Sequence, residues 1–208
     1  QVQQHLLDQD RVGQHVRGVR GHEAVDADAA LAGVDFGKTD GIVDNAADGH
    51  AFDLDSSVFL CRKDAEDNPV MISNAHFVYY NHTTSPDGAV VHSGDNRTGD
   101  RDGDDEVITV DLAKVDPAVM EMPIVVTIHD AETRKQNFGR VSGAYVKVYN
   151  DETGDVIAQY DLTEDYSDKT ALQFGSLYRR DGEWRFHAVG AGFKLSLATF
   201  IRKLGGTV

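Results

Sequence analysis

The chain has 208 residues, of which 40% are hydrophobic, enough for one substantial core. Its formal net charge of −15 disfavours binding to nucleic acid or to an anionic membrane, because both partners are negative. The single cysteine, Cys61, excludes an internal disulfide framework, and no apolar run reaches the length of a transmembrane helix. We therefore expect a cytoplasmic protein without direct membrane insertion.

The first region, residues 1–45, has an unusual composition. Residues 1–35 use only nine residue types and contain no Ser, Thr, Lys, Asn, Ile, Pro or aromatic residue. All nine have codons that begin with G or C, a bias that out-of-frame or opposite-strand reading of a GC-rich gene produces. We predict a doubtful or disordered segment at 1–45, either a frame artefact or a genuine acidic tail, before a folded domain at 46–208.

A strand pattern carrying two aspartates follows. Apolar residues between Phe52 and Leu60 alternate with polar ones, which predicts a half-buried strand with Asp53 and Asp55 on one face. Two carboxylates side by side repel each other, and a bound cation would remove that repulsion. The pair is therefore a candidate part of a metal site, with two solvent-facing strand acids as the alternative.

The segment from Gly94 to Glu106 carries six carboxylates in thirteen residues, punctuated by three glycines. Such crowding of like charge favours a bound cation, although a solvated acidic loop is the alternative. Glycines let the backbone curl so that many oxygens converge, which favours calcium over magnesium. The spacing is not that of an EF-hand, because counting from Asp95 puts Arg97 at the third position. The candidate ligands here are Asp95, Asn96, Gly99, Asp102, Asp104, Asp105 and Glu106.

The rest of the chain reads mainly as short strands rich in β-branched and aromatic residues. We expect an all-β fold, a two-sheet β-sandwich with few short helices and a C-terminal amphipathic helix from Leu195 to Leu204. Asp181-Gly182 predicts a tight hairpin, and Trp184 is expected in the core. The clearest strand patterns are residues 75–80, 107–110, 124–128, 144–149 and 156–160.

His129 and Asp130 end one of these strands, at the rim of the expected sandwich. A catalytic pair is disfavoured, because adjacent strand residues point to opposite faces. We expect Asp130 to be a metal ligand or to support one, and His129 to be structural. Asp161 begins a second acidic stretch, Asp161–Asp165, where helix capping is the alternative to metal binding.

Six short motifs are spread over residues 48–208. They are Phe52–Ser57, Gly94–Gly99 running on to Gly103–Glu106, Thr127–Ala131, Gln136–Gly139, Tyr160–Asp165 and Gly182–Phe186. Together they resemble the TerD-type tellurium-resistance and stress-response proteins. The resemblance implies a β-sandwich that binds Ca²⁺ through its acidic loops, a place in a bacterial resistance operon, and no known enzymatic reaction. It also favours metal binding over capping for Asp161.

Two functional classes remain open. The first is a non-enzymatic calcium-binding resistance or stress protein, whose metal-stabilised loops present a surface to partners. Those partners are expected to be other products of a tellurium-resistance operon, with peripheral attachment to the membrane through them. The second is a metal-dependent hydrolase of the phosphoester type that uses clustered ions. For the second class the sequence offers no recognisable base or electrophile beyond His129 and Asp130.

Overall fold

The computed structural model describes residues 23–24, 32–38, 52–95, 104–141, 144–161, 166 and 168–207. Of residues 23–24, 32–38, 104–105, 144–145 and 160–161 it describes the backbone alone. The candidate ligands Asn96, Gly99 and Asp102 lie outside the described residues.

Strands dominate the described ranges. They are β1 (Glu23–Ala24), β2 (Ala32–Lys38), β3 (Leu54–Phe59), β4 (Cys61–Lys63), β5 (Pro69–Met71), β6 (Phe77–Val78), β7 (Val90–His92), β8 (Asp104–Val110), β9 (Glu121–Ile128), β10 (Ala144–Asn150), β11 (Val156–Asp161), β12 (Ala171–Arg180) and β13 (Glu183–Phe193). Helical structure in the same ranges comprises two 3₁₀ turns, Asn74–His76 and Phe138–Arg140, and the helix α1 (Leu197–Lys203).

The strands form two antiparallel sheets. The larger has the order β1-β13-β12-β9-β3-β6, with β4 pairing with both β9 and β5. The smaller has the order β11-β10-β2-β8-β7. Apolar side chains from both sheets join in one buried core, so the predicted all-β, two-sheet sandwich is confirmed.

Two strands come from the segment 1–45. β1 pairs with β13, and β2 lies between β10 and β8 in the smaller sheet. Strand pairing does not test the reading frame that encodes these residues. The doubtful status of this segment and the domain boundary near residue 46 therefore stay predictions.

β3 and the residues after it are buried on both faces. Val58 and Leu60 belong to the core between the sheets, whereas Phe59 and Cys61 belong to a second apolar cluster. Phe200 and Ile201 of α1 complete that cluster. The expectation of a half-buried strand is therefore wrong, because the C-terminal helix covers the outer face of the sheet. The same contacts confirm the amphipathic helix.

The hairpin between β12 and β13 forms as the sequence predicts. Asp181 and Gly182 both have a left-handed backbone, with φ of 57° and 83°. Two such residues in succession match the right-handed twist of the paired strands. Trp184 follows the turn and is 2% exposed, which confirms its place in the core.

Candidate metal centre

Three carboxylates meet where β3 begins. Asp53 precedes β3, Asp55 lies within it, and Asp95 follows β7; one ligand oxygen from each lies within 4.8 Å of the others. Alternate positions put Asp53 and Asp55 on one face of the strand. β6 covers only Val58 and Phe59 of β3, so the first half of β3 is open to the chain that leaves β7. The fold thus joins two acidic motifs that are far apart in sequence.

The cluster is buried enough for its charges to repel strongly. Asp53 and Asp55 are 7% and 4% exposed, whereas Asp95 is exposed. Burial, followed by the charges of Asp53, Glu106 and Asp95, raises the pKa of Asp55 from 3.8 to about 8, and His92 opposes the shift only in part. A proton or a cation is therefore needed among these oxygens at neutral pH.

The side chains of a histidine and an arginine approach the same carboxylates. Nδ1 of His129 lies 3.3 Å from Oδ2 of Asp55, and Nη1 of Arg134 lies 3.7 Å from Oδ2 of Asp53. No sequence pattern signals either contact, because β9 ends at Ile128 and strand alternation no longer applies beyond it. His129 lies at the edge of the acidic cluster, and its expected structural role stays a prediction.

Asp130 occupies a different position from the three clustered acids. Its side chain is 63% exposed, and Oδ2 lies 3.7 Å from Nε2 of His129. Asp130 thus reaches the cluster only through His129 in the described contacts. Its proposed role as a ligand stays a prediction.

Tyr80 also borders the cluster, and sequence reasoning missed it. Burial, followed by the charges of Asp55 and other neighbours, raises the pKa of its hydroxyl. Its ring lies edge-on to His129, with 6.3 Å between the ring centroids. An aromatic residue at the rim of an acidic site offers a spectroscopic probe of what binds there.

Glu106 is buried beside the cluster and is hydrogen-bonded to β3. Its Oε2 accepts hydrogen bonds from the backbone nitrogen of Ser56 at 2.8 Å and from the Ser56 hydroxyl at 2.6 Å. Its Oε1 is buried without a hydrogen-bond partner among the described residues. The role of Glu106 as a metal ligand stays a prediction.

The remaining candidates are described by backbone alone. Asp104 and Asp105 lie in β8, and Asp161 ends β11. Their roles as ligands stay predictions, as do those of the candidates outside the described ranges.

Comparison with known proteins decides the family. The family model described as the TerD domain matches residues 26–204. The chain belongs to the TerD family. It is 48% identical over 160 residues to the tellurium resistance protein TerD of Serratia marcescens, covering 77% of this chain and 81% of that protein. It is 48% identical over 157 residues to general stress protein 16U of Bacillus subtilis, covering 76% of this chain and 79% of that protein.

A crystal structure shows the same fold. It is that of a homologue of the telluride resistance protein TerD, SCO6318 from Streptomyces coelicolor, at 23% identity. The TM-score is 0.68, with 82% of this chain and 94% of that chain covered. In the described part of this TerD-family chain, no helix is both long and apolar enough to cross a membrane.

The donor set of the cluster suits a hard cation. All three groups offer carboxylate oxygens, which divalent calcium and magnesium prefer, whereas zinc favours nitrogen and sulfur ligands. A cation here would favour the ionised form of Asp55, the acid that burial and neighbouring charges otherwise keep protonated. The residues therefore fit the metal that the sequence indicates, although three carboxylates alone do not distinguish calcium from magnesium.

Proposed function

We propose that this TerD-family protein binds calcium at Asp53, Asp55 and Asp95. The observation that carries the proposal is the convergence of their oxygens within 4.8 Å, with two of the three side chains buried. Calcium supplies positive charge without demanding rigid geometry, so it can take ligands from a strand and from an irregular segment together. The same centre takes further ligands from the acidic residues between Asp95 and Glu106.

Calcium is favoured over magnesium by the number of oxygens available. Magnesium requires a tight octahedron and keeps several waters, whereas calcium accepts six to eight oxygens at longer distances. The segment 94–106 adds five carboxylates beyond Asp95 within a few residues. This surplus suits the larger ion.

The role in resistance is proposed to be indirect. Tellurite is an oxyanion, and an acidic protein repels it. Cys61, the one thiol of the sequence, is fully buried, and burial raises its pKa well above the ordinary value, so it offers no reactive thiolate. We propose instead that the calcium-loaded loops present a surface to other products of a tellurium-resistance operon, in the cytoplasm and peripherally at the membrane through those partners.

Calorimetric titration of the purified chain tests the metal assignment. Calcium is expected to bind with a higher affinity than magnesium, and Asp55→Asn is expected to abolish the calcium heat. Glu66→Gln, which removes one exposed negative charge outside the cluster, is the control and should titrate like the wild type. Equal affinities for the two ions, or an unchanged titration of Asp55→Asn, would contradict the assignment.

A metal-dependent hydrolase is the second candidate, and His129 is the observation that favours it. An imidazole 3.3 Å from a clustered carboxylate is placed to take a proton from a metal-activated water. The names of the relatives, a tellurium resistance protein and a general stress protein, do not describe enzymes. Phosphoester assays with calcium, magnesium and manganese distinguish the two, because a binding protein turns over nothing.

A further inference from the structure

A buried polar chain joins the two sheets beside the acidic cluster. Ser56 on β3, His92 on β7 and Glu106 on β8 are 0%, 3% and 1% exposed. The Ser56 hydroxyl lies 2.9 Å from Nε2 of His92 and 2.6 Å from Oε2 of Glu106. Polar groups so deeply buried are costly unless each finds a partner, so their arrangement requires an explanation beyond packing.

The proton positions in this chain follow from its geometry. The backbone N–H of Gly94 donates to Nδ1 of His92 at 2.9 Å, so Nδ1 carries no proton. The imidazole proton is therefore on Nε2, which donates to the Ser56 hydroxyl. That hydroxyl has one proton, with which it donates a hydrogen bond to Glu106. The hydrogen bonds therefore run in one direction, from His92 through Ser56 to Glu106.

The hydrogen bonds of Ser56 and Glu106 also complete the open edge of β3. β6 pairs with β3 only at Val58 and Phe59, and the backbone N–H of Ser56 donates instead to Glu106 at 2.8 Å. The Glu106 carboxylate thus accepts the hydrogen bond of a backbone N–H that a neighbouring strand would otherwise accept. His92 ends β7 three residues before Asp95, and Ser56 directly follows Asp55.

We propose that Ser56, His92 and Glu106 are positioning residues that hold β7 and the start of β8 against β3, so that Asp95 reaches Asp53 and Asp55. The proposal rests on the cation site proposed above and assigns the buried serine a role in building it. Ser56 is not a nucleophile, because its side chain is inaccessible and its proton is directed to Glu106.

Two neighbouring serines supply a matched test. Ser57 is also fully buried, but its hydroxyl donates to the Val125 carbonyl at 3.3 Å within one sheet. Ser56→Ala is expected to weaken calcium binding in calorimetry by roughly tenfold or more, because Asp95 loses its support. Ser57→Ala is expected to keep the wild-type affinity within roughly twofold, while each variant melts at a lower temperature in chelator.

Equal calcium affinities for Ser56→Ala and Ser57→Ala would overturn the proposal and show a structural role alone. If Ser56→Ala does not fold, His92→Gln replaces it in the test. Glutamine can donate toward Ser56 but cannot place an acceptor at Gly94, so a several-fold weaker affinity is expected. Wild-type affinity in His92→Gln would overturn the proposal.

Nuclear magnetic resonance separates this inference from the proposed function. Nitrogen chemical shifts of His92 in chelator should show the Nε2–H tautomer, and the Nδ1–H tautomer would overturn the hydrogen-bond chain whatever the metal affinity. A wild-type protein that shows this tautomer yet gives no calcium heat would refute the cation site, and with it the positioning role.

Discussion

The segment from Asp53 to Cys61, which contains β3, has an acidic half and an apolar half that are buried in different ways. Beyond Ser57, Phe59 and Cys61 pack under α1, and their burial is favourable without any further partner. Before Ser57, Asp53 and Asp55 are nearly as inaccessible, and burial there opposes the ionisation of Asp55. The packing of the apolar half is therefore expected to be insensitive to pH and cations. The stability of the acidic half is expected to depend on both.

The largest expected effect breaks the apolar half. Phe59 is fully buried and stacks on Phe77, with 4.5 Å between the ring centroids. Phe59→Ala should lower the free energy of unfolding by about 3–5 kcal/mol, because it removes a large core side chain. Denaturant unfolding should give the same loss of stability in calcium and in chelator. A loss confined to one condition would show that the two halves are energetically coupled.

The next effect breaks the acidic half. At a free calcium concentration one hundred times Kd, binding should raise the free energy of unfolding of the wild type by about 2.7 kcal/mol. Asp55→Asn should lose this gain and become more stable than the wild type in chelator at pH 8, because a neutral amide replaces an acid that resists ionisation. Glu66→Gln should retain the gain; if Asp55→Asn retains it too, Asp55 is not a ligand.

The pH dependence sharpens the comparison. The raised pKa of Asp55 means that the folded protein holds a proton that the unfolded chain releases near pH 4. Between about pH 4 and pH 8 the folded state binds more protons, so in chelator its stability falls as pH rises, by up to about 1.4 kcal/mol per pH unit from this group.

Urea unfolding at several pH values, for the wild type and Asp55→Asn, isolates this contribution as a difference. Saturating calcium should flatten the slope, because the ion replaces the proton. Parallel pH profiles for the two proteins in chelator would show that Asp55 ionises normally.

The smallest effect concerns the competing cation. Arg134 lies 3.7 Å from Asp53 and is partly exposed, so its pairing energy is small. Arg134→Gln should raise calcium affinity by roughly twofold to fivefold, since one positive charge no longer opposes the ion. Lys135→Gln, an exposed neighbour in the same turn, is the control for net charge, and equal changes in both variants would remove the specific role of Arg134.

Local pattern was enough for much of this molecule. Alternation placed Asp53 and Asp55 on one face, and glycine-punctuated acids marked the segment that begins at Gly94. Asp181-Gly182 gave the hairpin, because both residues tolerate a left-handed backbone. Each of these predictions depends on residues that are neighbours in the chain.

Contacts between distant residues were beyond the sequence. The burial of the outer face of β3 depends on α1, which follows more than one hundred residues later. The contacts of His129 and Arg134 with the acids arise from a turn after β9, and the pairing of Ser56 with His92 and Glu106 requires both sheets. No local periodicity reports such pairings.

The melting temperature of the wild type in millimolar calcium and in chelator tests the central claim most directly. If a cation compensates the carboxylates at the start of β3, the transition should move upward by several degrees in calcium, and magnesium at the same concentration should move it less. An identical transition in calcium and in chelator would contradict the account, because the acidic half of β3 would then be stable without a cation.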